Sequence, residues 1–364
     1  MKKIGKQVLF LPTSNEIARN GEGTIIRLNN GTLMFALCEF FAGSRVDHAP
    51  ARIVAYYSND EGETWYGKRI LLELGESEKN LNSPNLIIFN NGDLGMFYGV
   101  YSENNGTINS TPHLVRSKDN GETWSNPIRI CKDKTIHYIM NNDRVTVLKN
   151  GRIIIPLAYH GYDVLNITPG EIHFAYSDDD GFTWDMLETK ISFPFDDYTK
   201  FQEPGIYEFE NGDLWVYART ALRYQYQTFS TDGGKTFETP TPNEYFKSPV
   251  SPMKVKKVGK YTVAVYNPLP NDETAPVWGS VARTPFAIAV SRDDGRSLTF
   301  KNIDFNAFEK NCYYLEDDRS NYYCYPTICK VKDGFLVAYY HSNGTEFSLN
   351  STKITKVLFS ELEN

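Results

Sequence analysis

The chain has 364 residues, with 38 Lys or Arg against 45 Asp or Glu, and therefore a formal net charge of −7 at pH 7. This negative balance argues against nucleic acid and against an anionic membrane as partners. The sequence has no long helical period and no transmembrane apolar run, whereas its 24 Tyr and 22 Phe suit a β-protein with a ligand-lined face.

The chain begins M-K-K-I-G-K-Q-V-L-F-L-P, with positive charges like those of a signal peptide. Lys6 and Gln7 interrupt any apolar core and no small-residue cleavage site follows, so we predict a strand at residues 6–12. The five cysteines are odd in number and lack zinc spacing, which favours a reducing compartment and a cytoplasmic protein. They are Cys38, Cys131, Cys312, Cys324 and Cys329.

An octamer such as S-K-D-N-G-E-T-W is repeated along the chain. Its copies, the fifth of them looser, lie at residues 58–65, 117–124, 177–184, 230–237 and 291–300. Ser and Asp side chains can bond nearby backbone N–H groups, Gly takes positive φ, and the final aromatic returns to a strand where it can be buried. The phrase therefore predicts a hairpin connection with a structural role, and its aspartates are poor catalytic candidates. These are Asp60, Asp119, Asp179, Asp232 and Asp293.

Each repeat has an earlier landmark, an apolar strand that ends in a turn glycine. The glycines are Gly31, Gly92, Gly151, Gly212, Gly259 and Gly334. The order in each unit is strand, turn, second strand, third strand into the octamer and fourth strand out of it. Six such units predict an all-β fold, a six-bladed β-propeller with four-stranded blades that forms a single domain over residues 1–364.

The sixth unit lacks an octamer after its glycine. Residues 352–359, T-K-I-T-K-V-L-F, supply one strand, and we expect the N-terminal strand to complete this blade and cover its edge.

The innermost strand of each blade should start at the central pore, so the position nine residues before each turn glycine should line one mouth. Blade by blade these positions are Glu22, Ser83, Asn142, Glu203, the Val250–Ser251 pair and Tyr325. Nearly all of them are polar, whereas a strand start with only a structural role would not require polar residues at these positions. They are therefore candidate site residues.

The octamers, the six blades and several of these residues resemble the sialidase (neuraminidase) superfamily, in particular bacterial exo-sialidases with Asp-box (BNR) repeats. The resemblance covers essentially the whole chain, but Asp boxes also occur in non-enzymes and in other glycosidases. It implies a retaining exo-glycoside hydrolase that releases terminal sialic acid or a related acidic sugar from glycoconjugates. A carbohydrate partner is then expected, with no cofactor and no metal; the oligomeric state is left open.

The catalytic residues are matched one by one. C-Y-P-T-I-C-K-V-K-D-G places Tyr325 at the family's nucleophile, and E-P-G-I-Y-E-F-E-N-G places Glu203 at the glutamate that activates it. S-R-V-D-H-A-P places Asp47 at the acid/base, with His48 beside it. A tyrosine suits this chemistry, because a sugar whose anomeric carbon bears a carboxylate would repel a carboxylate nucleophile.

The family holds the substrate carboxylate with three arginines, and this chain matches two of them. D-L-W-V-Y-A-R-T gives Arg219, and A-R-T-P-F-A-I-A-V-S gives Arg283 on the strand into a late box. The blade-one R-I-P phrase is absent, and Glu22 stands there in R-N-G-E-G-T. The carboxylate that steadies this arginine in the family is missing too, since His341 ends the corresponding segment.

Several cations could replace the missing arginine. The first candidate is Arg144, followed by Arg27 and Arg45, whereas Glu22 could instead receive sugar hydroxyls.

Structural roles remain open for several of these side chains. Arg219 and Arg283 could pair with carboxylates to brace the pore. The acids at 316–318 suit a solvated turn, with Asp317 or Asp318 as a cation ligand in the alternative. Two other functions also stay open: a propeller glycosidase or lyase acting on a non-sialic sugar, and a non-catalytic glycan-binding propeller.

Overall fold

The computed structural model describes residues 1–41, 43–104, 106–133, 135–161, 170–193, 201–269, 274–299, 311–343 and 349–363. The chain divides into two compact units. Unit I is Thr13–Pro204, and unit II is Met1–Pro12 with Gly205–Asn364. Strand β1 (Lys6–Leu11) lies in unit II.

Unit I contains three antiparallel sheets in chain order. The first has β2 (Arg19–Arg27), β3 (Leu33–Phe40), β4 (Ala51–Ser58) and β5 (Tyr66–Leu72). The second has β6 (Glu78–Ile88), β7 (Leu94–Asn104), β8 (Thr107–Ser117) and β9 (Ile128–Arg129). The third has β10 (Tyr138–Ile139), β11 (Thr146–Val147), β12 (Ile153–Tyr159), β13 (Glu171–Ser177) and β14 (Asp185–Met186), its innermost strand being split between β10 and β11.

The fourth sheet begins at the boundary between the units, with β15 (Gln202–Glu208), β16 (Leu214–Arg219), β17 (Tyr224–Ser230) and β18 (Thr241–Lys247). The fifth has β19 (Lys254–Val258), β20 (Tyr261–Tyr266), β21 (Phe286–Ser291) and β22 (Cys312–Glu316). The sixth has β23 (Tyr323–Lys330), β24 (Gly334–His341), β25 (Ser351–Leu358) and β1. Single 3₁₀ turns lie at Ser280–Ala282, Arg296–Thr299 and Phe359–Leu362. The predicted fold class, a six-bladed β-propeller, is confirmed.

The N-terminal strand completes the last blade, as predicted. Strand β1 pairs antiparallel with β25, from Lys6 opposite Lys356 to Leu11 opposite Thr352. The carboxylate of Glu316 also holds the chain start, because Lys3 Nζ lies 3.3 Å from its Oε2. The predicted solvated turn at 316–318 was wrong for Glu316, which is 3% exposed at the end of β22. The chain start therefore covers a strand edge that would otherwise be open.

The repeated octamers are structural turns. In the second copy, Ser117 Oγ accepts the Gly121 N–H at 2.8 Å, while the backbone N–H and hydroxyl of Thr123 donate to Asp119 at 2.8 and 2.6 Å. These hydrogen bonds from Thr123 and one from Ser117 lower the pKa of Asp119 to about 2. The first, third and fourth copies repeat this pattern. In the fifth, Phe300 lies outside the described residues, and a 3₁₀ turn follows Gly295.

The hydrophobic cores lie between consecutive blades. Within unit I, one cluster joins the first and second blades and another joins the second and third; in unit II, clusters join the fourth to the fifth and the fifth to the sixth. The aromatic residue at the end of the octamer contributes to this packing. Trp184 of the third blade is 8% exposed and meets Phe97 of the second blade edge-on, with ring centres 5.5 Å apart.

None of the helical turns among the described residues has the length and apolar character that a membrane-spanning helix needs.

Candidate active site

One backbone feature recurs at the predicted site positions. Non-glycine residues with positive φ lie on the innermost strand of four blades, at Glu22 (52°), Ser83 (50°), Glu203 (51°) and Tyr325 (56°), and in the third blade between the two halves of that strand, at Asp143 (54°). In β2, β6 and β23 the pairing register shifts across this point, as in a β-bulge. Left-handed non-glycine residues cost on the order of 1–3 kcal/mol and cluster at functional sites, and bulges re-aim side chains there. In the third blade the feature lies at Asp143, one residue after the predicted Asn142.

The blade-one residue Glu22 lies in a cluster of charges within unit I. Its Oε1 accepts a hydrogen bond from Arg19 Nη2 at 2.7 Å, and its Oε2 accepts one from Ser83 Oγ at 2.7 Å. Arg19 Nη1 also donates to Asp47 Oδ1 at 2.6 Å, so that one guanidinium bridges two carboxylates. The side chain of Asp47 is 80% exposed, whereas that of Glu22 is 12% exposed.

Arg19 is a site residue that the sequence reasoning missed. Residues three apart on a regular strand point to opposite faces of the sheet, so Arg19 would point away from Glu22. The register shift between Gly21 and Thr24 breaks this alternation and brings both side chains together. A bulge signal was available in the sequence, because Gly23 follows Glu22. A Cβ atom at residue 23 would lie 2.3 Å from the Phe35 ring and 2.7 Å from the Ala36 carbonyl oxygen.

Burial sets the electrostatics of Glu22. Desolvation raises the pKa of Glu22, Arg19 opposes this, and the charges of Asp47 and Glu203 add to the increase. Burial together with the charges of Asp47 and Glu22 also raises the pKa of Tyr101, a nearby residue that the sequence reasoning did not select. The site in unit I is therefore acidic, and Arg19 is shared between two of its carboxylates.

Hydrogen bonds link the first three blades at these positions. Asn142 Nδ2 donates to the Gly23 carbonyl at 2.8 Å, joining the third blade to the first. Arg144 donates its backbone N–H to Asn85 Oδ1 of the second blade, and its side chain is almost fully buried at 2% exposure. The three predicted positions Glu22, Ser83 and Asn142 are thus brought together within unit I.

In unit II, Tyr325 and Arg283 are neighbours. The Arg283 guanidinium carbon lies 5.8 Å from the centre of the Tyr325 ring. Arg283 Nη1 donates to Cys324 Sγ at 3.0 Å, and Nε donates to the Val250 carbonyl at 3.2 Å. Arg283 precedes β21 and does not lie on the strand into the box, so its predicted placement on that strand was wrong. The segment before the strand nevertheless brings Arg283 beside two predicted positions, Val250 and Tyr325.

Arg219 ends β16, half-buried and directly opposite Gln225 on β17. Gln225 Nε2 donates to the Ser251 carbonyl at 2.9 Å, so this end of the fourth blade is tied to the Val250–Ser251 segment. Glu203 is 5% exposed and belongs to unit I. Its contact with Tyr325 of unit II stays a prediction.

Three alternative residues have other surroundings. Arg27 pairs with Glu61 at 2.7 Å near the turn end of its blade, which leaves it unsuited to replace the family arginine. Asp317 pairs with Lys3 at 2.8 Å. Asp318 accepts turn hydrogen bonds from the backbone N–H and hydroxyl of Ser320 at 2.9 and 2.6 Å.

The remaining candidates differ in their exposure to solvent. His48 and Arg45 are exposed on the loop that carries Asp47. Cys324 and Cys329, both on β23, are buried free thiols. Among the residues that the structure describes, no group of three or more His, Cys, Asp or Glu side chains could hold a metal ion.

The six blades and their repeated octamers define a class, the sialidase superfamily with BNR repeats. Residues 33–338 match the BNR repeat-like domain, and the chain belongs to that family. A curated sialidase from Paraclostridium sordellii is 25% identical over 236 residues, which are 59% of this chain and 56% of the relative. The match thus spans little more than half of that relative's length.

Solved structures show the same fold. A protein of unknown function from Dyadobacter fermentans has a TM-score of 0.71 at 18% identity, over 97% of this chain and 99% of that one. The intramolecular trans-sialidase from Ruminococcus gnavus, in complex with oseltamivir carboxylate, has a TM-score of 0.71 at 15% identity, over 98% of each chain. Trypanosoma rangeli sialidase in complex with sialic acid has a TM-score of 0.68 at 15% identity, over 99% of this chain and 58% of that one.

Proposed function

We propose that this protein is a retaining exo-glycoside hydrolase of the sialidase type, which releases terminal sialic acid or a related acidic sugar from glycoconjugates. The observation that carries the proposal is that Tyr325 and Glu203, matched separately to the family's nucleophile and activating glutamate, both have the left-handed backbone conformation within an inner strand. Strained conformations of this kind persist where a side chain must be aimed. The family and the sialidase from Paraclostridium sordellii support the same reaction class.

In the first step of the proposed reaction, the Tyr325 oxygen attacks the anomeric carbon and its proton passes to Glu203. The bond to the leaving oxygen breaks, and Asp47 protonates that oxygen. The exposure of Asp47 suits this role, because a leaving group can approach it from solvent.

In the second step, Asp47 takes a proton from water, and the water oxygen attacks the anomeric carbon. The bond to Tyr325 breaks, and Glu203 returns the proton to the tyrosine oxygen. Two displacements at one carbon retain its configuration.

Cations recognise the sugar carboxylate in this proposal. Arg219 and Arg283 are the family's matched arginines, and a guanidinium can bind a carboxylate through two parallel hydrogen bonds. Arg144 is the proposed third contributor. His48, exposed beside Asp47, is assigned to substrate contact on the same loop.

The five buried free thiols agree with a reducing compartment, and we propose a cytoplasmic location.

A second candidate is a propeller glycosidase acting on a non-sialic sugar, and Glu22 is the observation that favours it. One assay separates the candidates: turnover of fluorogenic α-sialosides beside neutral and uronic glycosides. The proposal predicts hydrolysis of the sialoside with retained configuration. Cleavage of only neutral or uronic substrates would select the second candidate, and binding without any turnover would indicate a glycan-binding propeller.

A further inference from the structure

Glu22 is a charged acceptor at a point where the family resemblance implies a cation. Its two oxygens each accept one hydrogen bond, from Arg19 Nη2 and from Ser83 Oγ, both at 2.7 Å. A carboxylate has about four acceptor sites, so these two bonds orient the group without using its whole capacity. The side chain is 12% exposed, so it is not completely enclosed by the protein.

The charges around Glu22 determine which ligand group this point would bind. Arg19 is divided between Glu22 and Asp47. Asp47 and Glu203 both act on Glu22 as like charges, and burial makes its carboxylate form costly. A sugar carboxylate brought to this point would be repelled, whereas a hydroxyl or amino group would donate a hydrogen bond to the oriented carboxylate and offset part of its burial cost.

We propose that Glu22 is a specificity-determining residue, which accepts a hydrogen bond from a hydroxyl or amino group of the terminal sugar. Blade one then recognises a donor group of the sugar, and the sugar carboxylate is bound elsewhere. Arg19 acts as the positioning residue, because it fixes the Glu22 carboxylate and ties it to the loop that carries Asp47. The inference rests on the proposed function, since it concerns the same sugar in the same site.

The test combines variants with substrate analogues that each lack one donor group. Wild type, Glu22→Ala and Glu22→Gln are assayed with a fluorogenic α-sialoside and with a series of its analogues, each without one hydroxyl or the amide group. For wild type, one analogue should lose about tenfold or more in kcat/KM, the size expected for a hydrogen bond to a charged group. Glu22→Ala should impose a similar loss on the parent sialoside, mainly through KM, and little further loss on that analogue.

Two further variants complete the test, the first as a control and the second as a milder change at the same site. Glu39→Gln alters another buried glutamate of the same blade, one that pairs with Arg52, and it should affect the parent and every analogue equally. Ser83→Ala keeps the Glu22 carboxylate but removes one of its donors. It should produce a smaller loss with the same dependence on the analogue. Melting temperatures identify any variant that does not fold, in which case Ser83→Ala and Glu22→Gln provide the test.

The inference is overturned if the Glu22 and Ser83 variants lower kcat/KM by the same factor for the parent and for every analogue. It is also overturned if Glu22→Gln strengthens binding of the parent sialoside, because relief of repulsion would then outweigh any lost donor contact. Hydrolysis of the parent sialoside by the wild-type protein tests the proposed function separately. A wild type that cleaves the sialoside without any Glu22-dependent analogue overturns only the inference, and a wild type that leaves the sialoside uncleaved overturns both.

Discussion

The Arg283 guanidinium carbon lies 5.8 Å from the centre of the Tyr325 ring, and the same guanidinium donates a hydrogen bond to the neighbouring Cys324 sulfur at 3.0 Å. A nearby cation stabilises the deprotonated form of a phenol. Arg283 is therefore suited to two tasks in the proposed reaction: binding the sugar carboxylate and supporting charge on the tyrosine oxygen.

Replacing Arg283 should separate these tasks. Arg283→Gln is expected to lower kcat about tenfold or more, because the tyrosine oxygen loses a neighbouring cation while it gives up its proton. Arg283→Lys keeps the charge and should preserve kcat while raising KM through loss of the planar guanidinium. If Arg283→Gln raises only KM, then the arginine binds substrate without assisting the tyrosine.

Arg219 is expected to distinguish acidic from neutral ligands. A charge-assisted hydrogen bond contributes about 1.5–3 kcal/mol, so Arg219→Ala should weaken binding of an acidic sugar about tenfold or more and leave its neutral analogue unchanged. Titration calorimetry with both ligands measures the difference. Arg152→Ala, which removes an arginine paired with Asp178 in the third blade, is the control and should alter neither affinity. Equal losses for the two ligands at Arg219→Ala would assign this arginine a structural role.

The box aromatics should stabilise the fold without taking part in turnover. Trp184 is 8% exposed and packs against Phe97 of the preceding blade, so Trp184→Ala should lower the free energy of unfolding by about 3–5 kcal/mol. Trp124 is half-buried, so Trp124→Ala should lower the free energy of unfolding by less than Trp184→Ala does. The control is Val147→Ala in the same blade, since Val147 is 44% exposed and its truncation should have little effect. Chemical denaturation gives both values, and similar losses at Trp184 and Val147 would exclude the proposed packing role.

The aspartates of the octamers should make the stability of the fold depend on pH. Hydrogen bonds from Thr123 and Ser117 lower the pKa of Asp119 from 3.8 to about 2. Its contribution to stability is therefore present above the ordinary value and is lost as the pH falls through about 2. Asp119→Asn should lower the melting temperature at neutral pH, and the difference from wild type should close at about pH 2. Asp185→Asn, at an exposed aspartate, is the control; a gap between Asp119→Asn and wild type that widens on acidification would contradict the assignment.

The repeats could be predicted because their pattern is local and periodic. Each octamer carries its own hydrogen-bonding groups, as the Ser117 and Asp119 contacts show, and each turn glycine follows an inner strand. The chain start was assigned to the sixth blade because that repeat lacked one strand, and the β1–β25 pairing confirms this. Such features follow from spacing along the chain and require no knowledge of side-chain direction.

The site was less accessible to sequence reasoning, because irregular backbone decides which side chains meet. The bulge at Glu22 turns Arg19 toward it, against the alternation of a regular strand. Arg283 was expected on β21 but lies before it, where its contacts with Val250 and Cys324 place it beside Tyr325. Family patterns identified residue types, whereas bulges and loop paths determined their neighbours.

The most direct test of the account is the turnover of Tyr325→Phe on a fluorogenic α-sialoside, measured beside wild type with the melting temperature of each. Removing one hydroxyl from a half-buried ring should leave melting nearly unchanged. Because the proposed nucleophile is that hydroxyl oxygen, the account predicts that sialoside hydrolysis falls by several orders of magnitude, on the scale seen when a catalytic nucleophile is removed. A folded Tyr325→Phe protein that keeps most of the wild-type rate would contradict the tyrosine nucleophile and the retaining mechanism built on it.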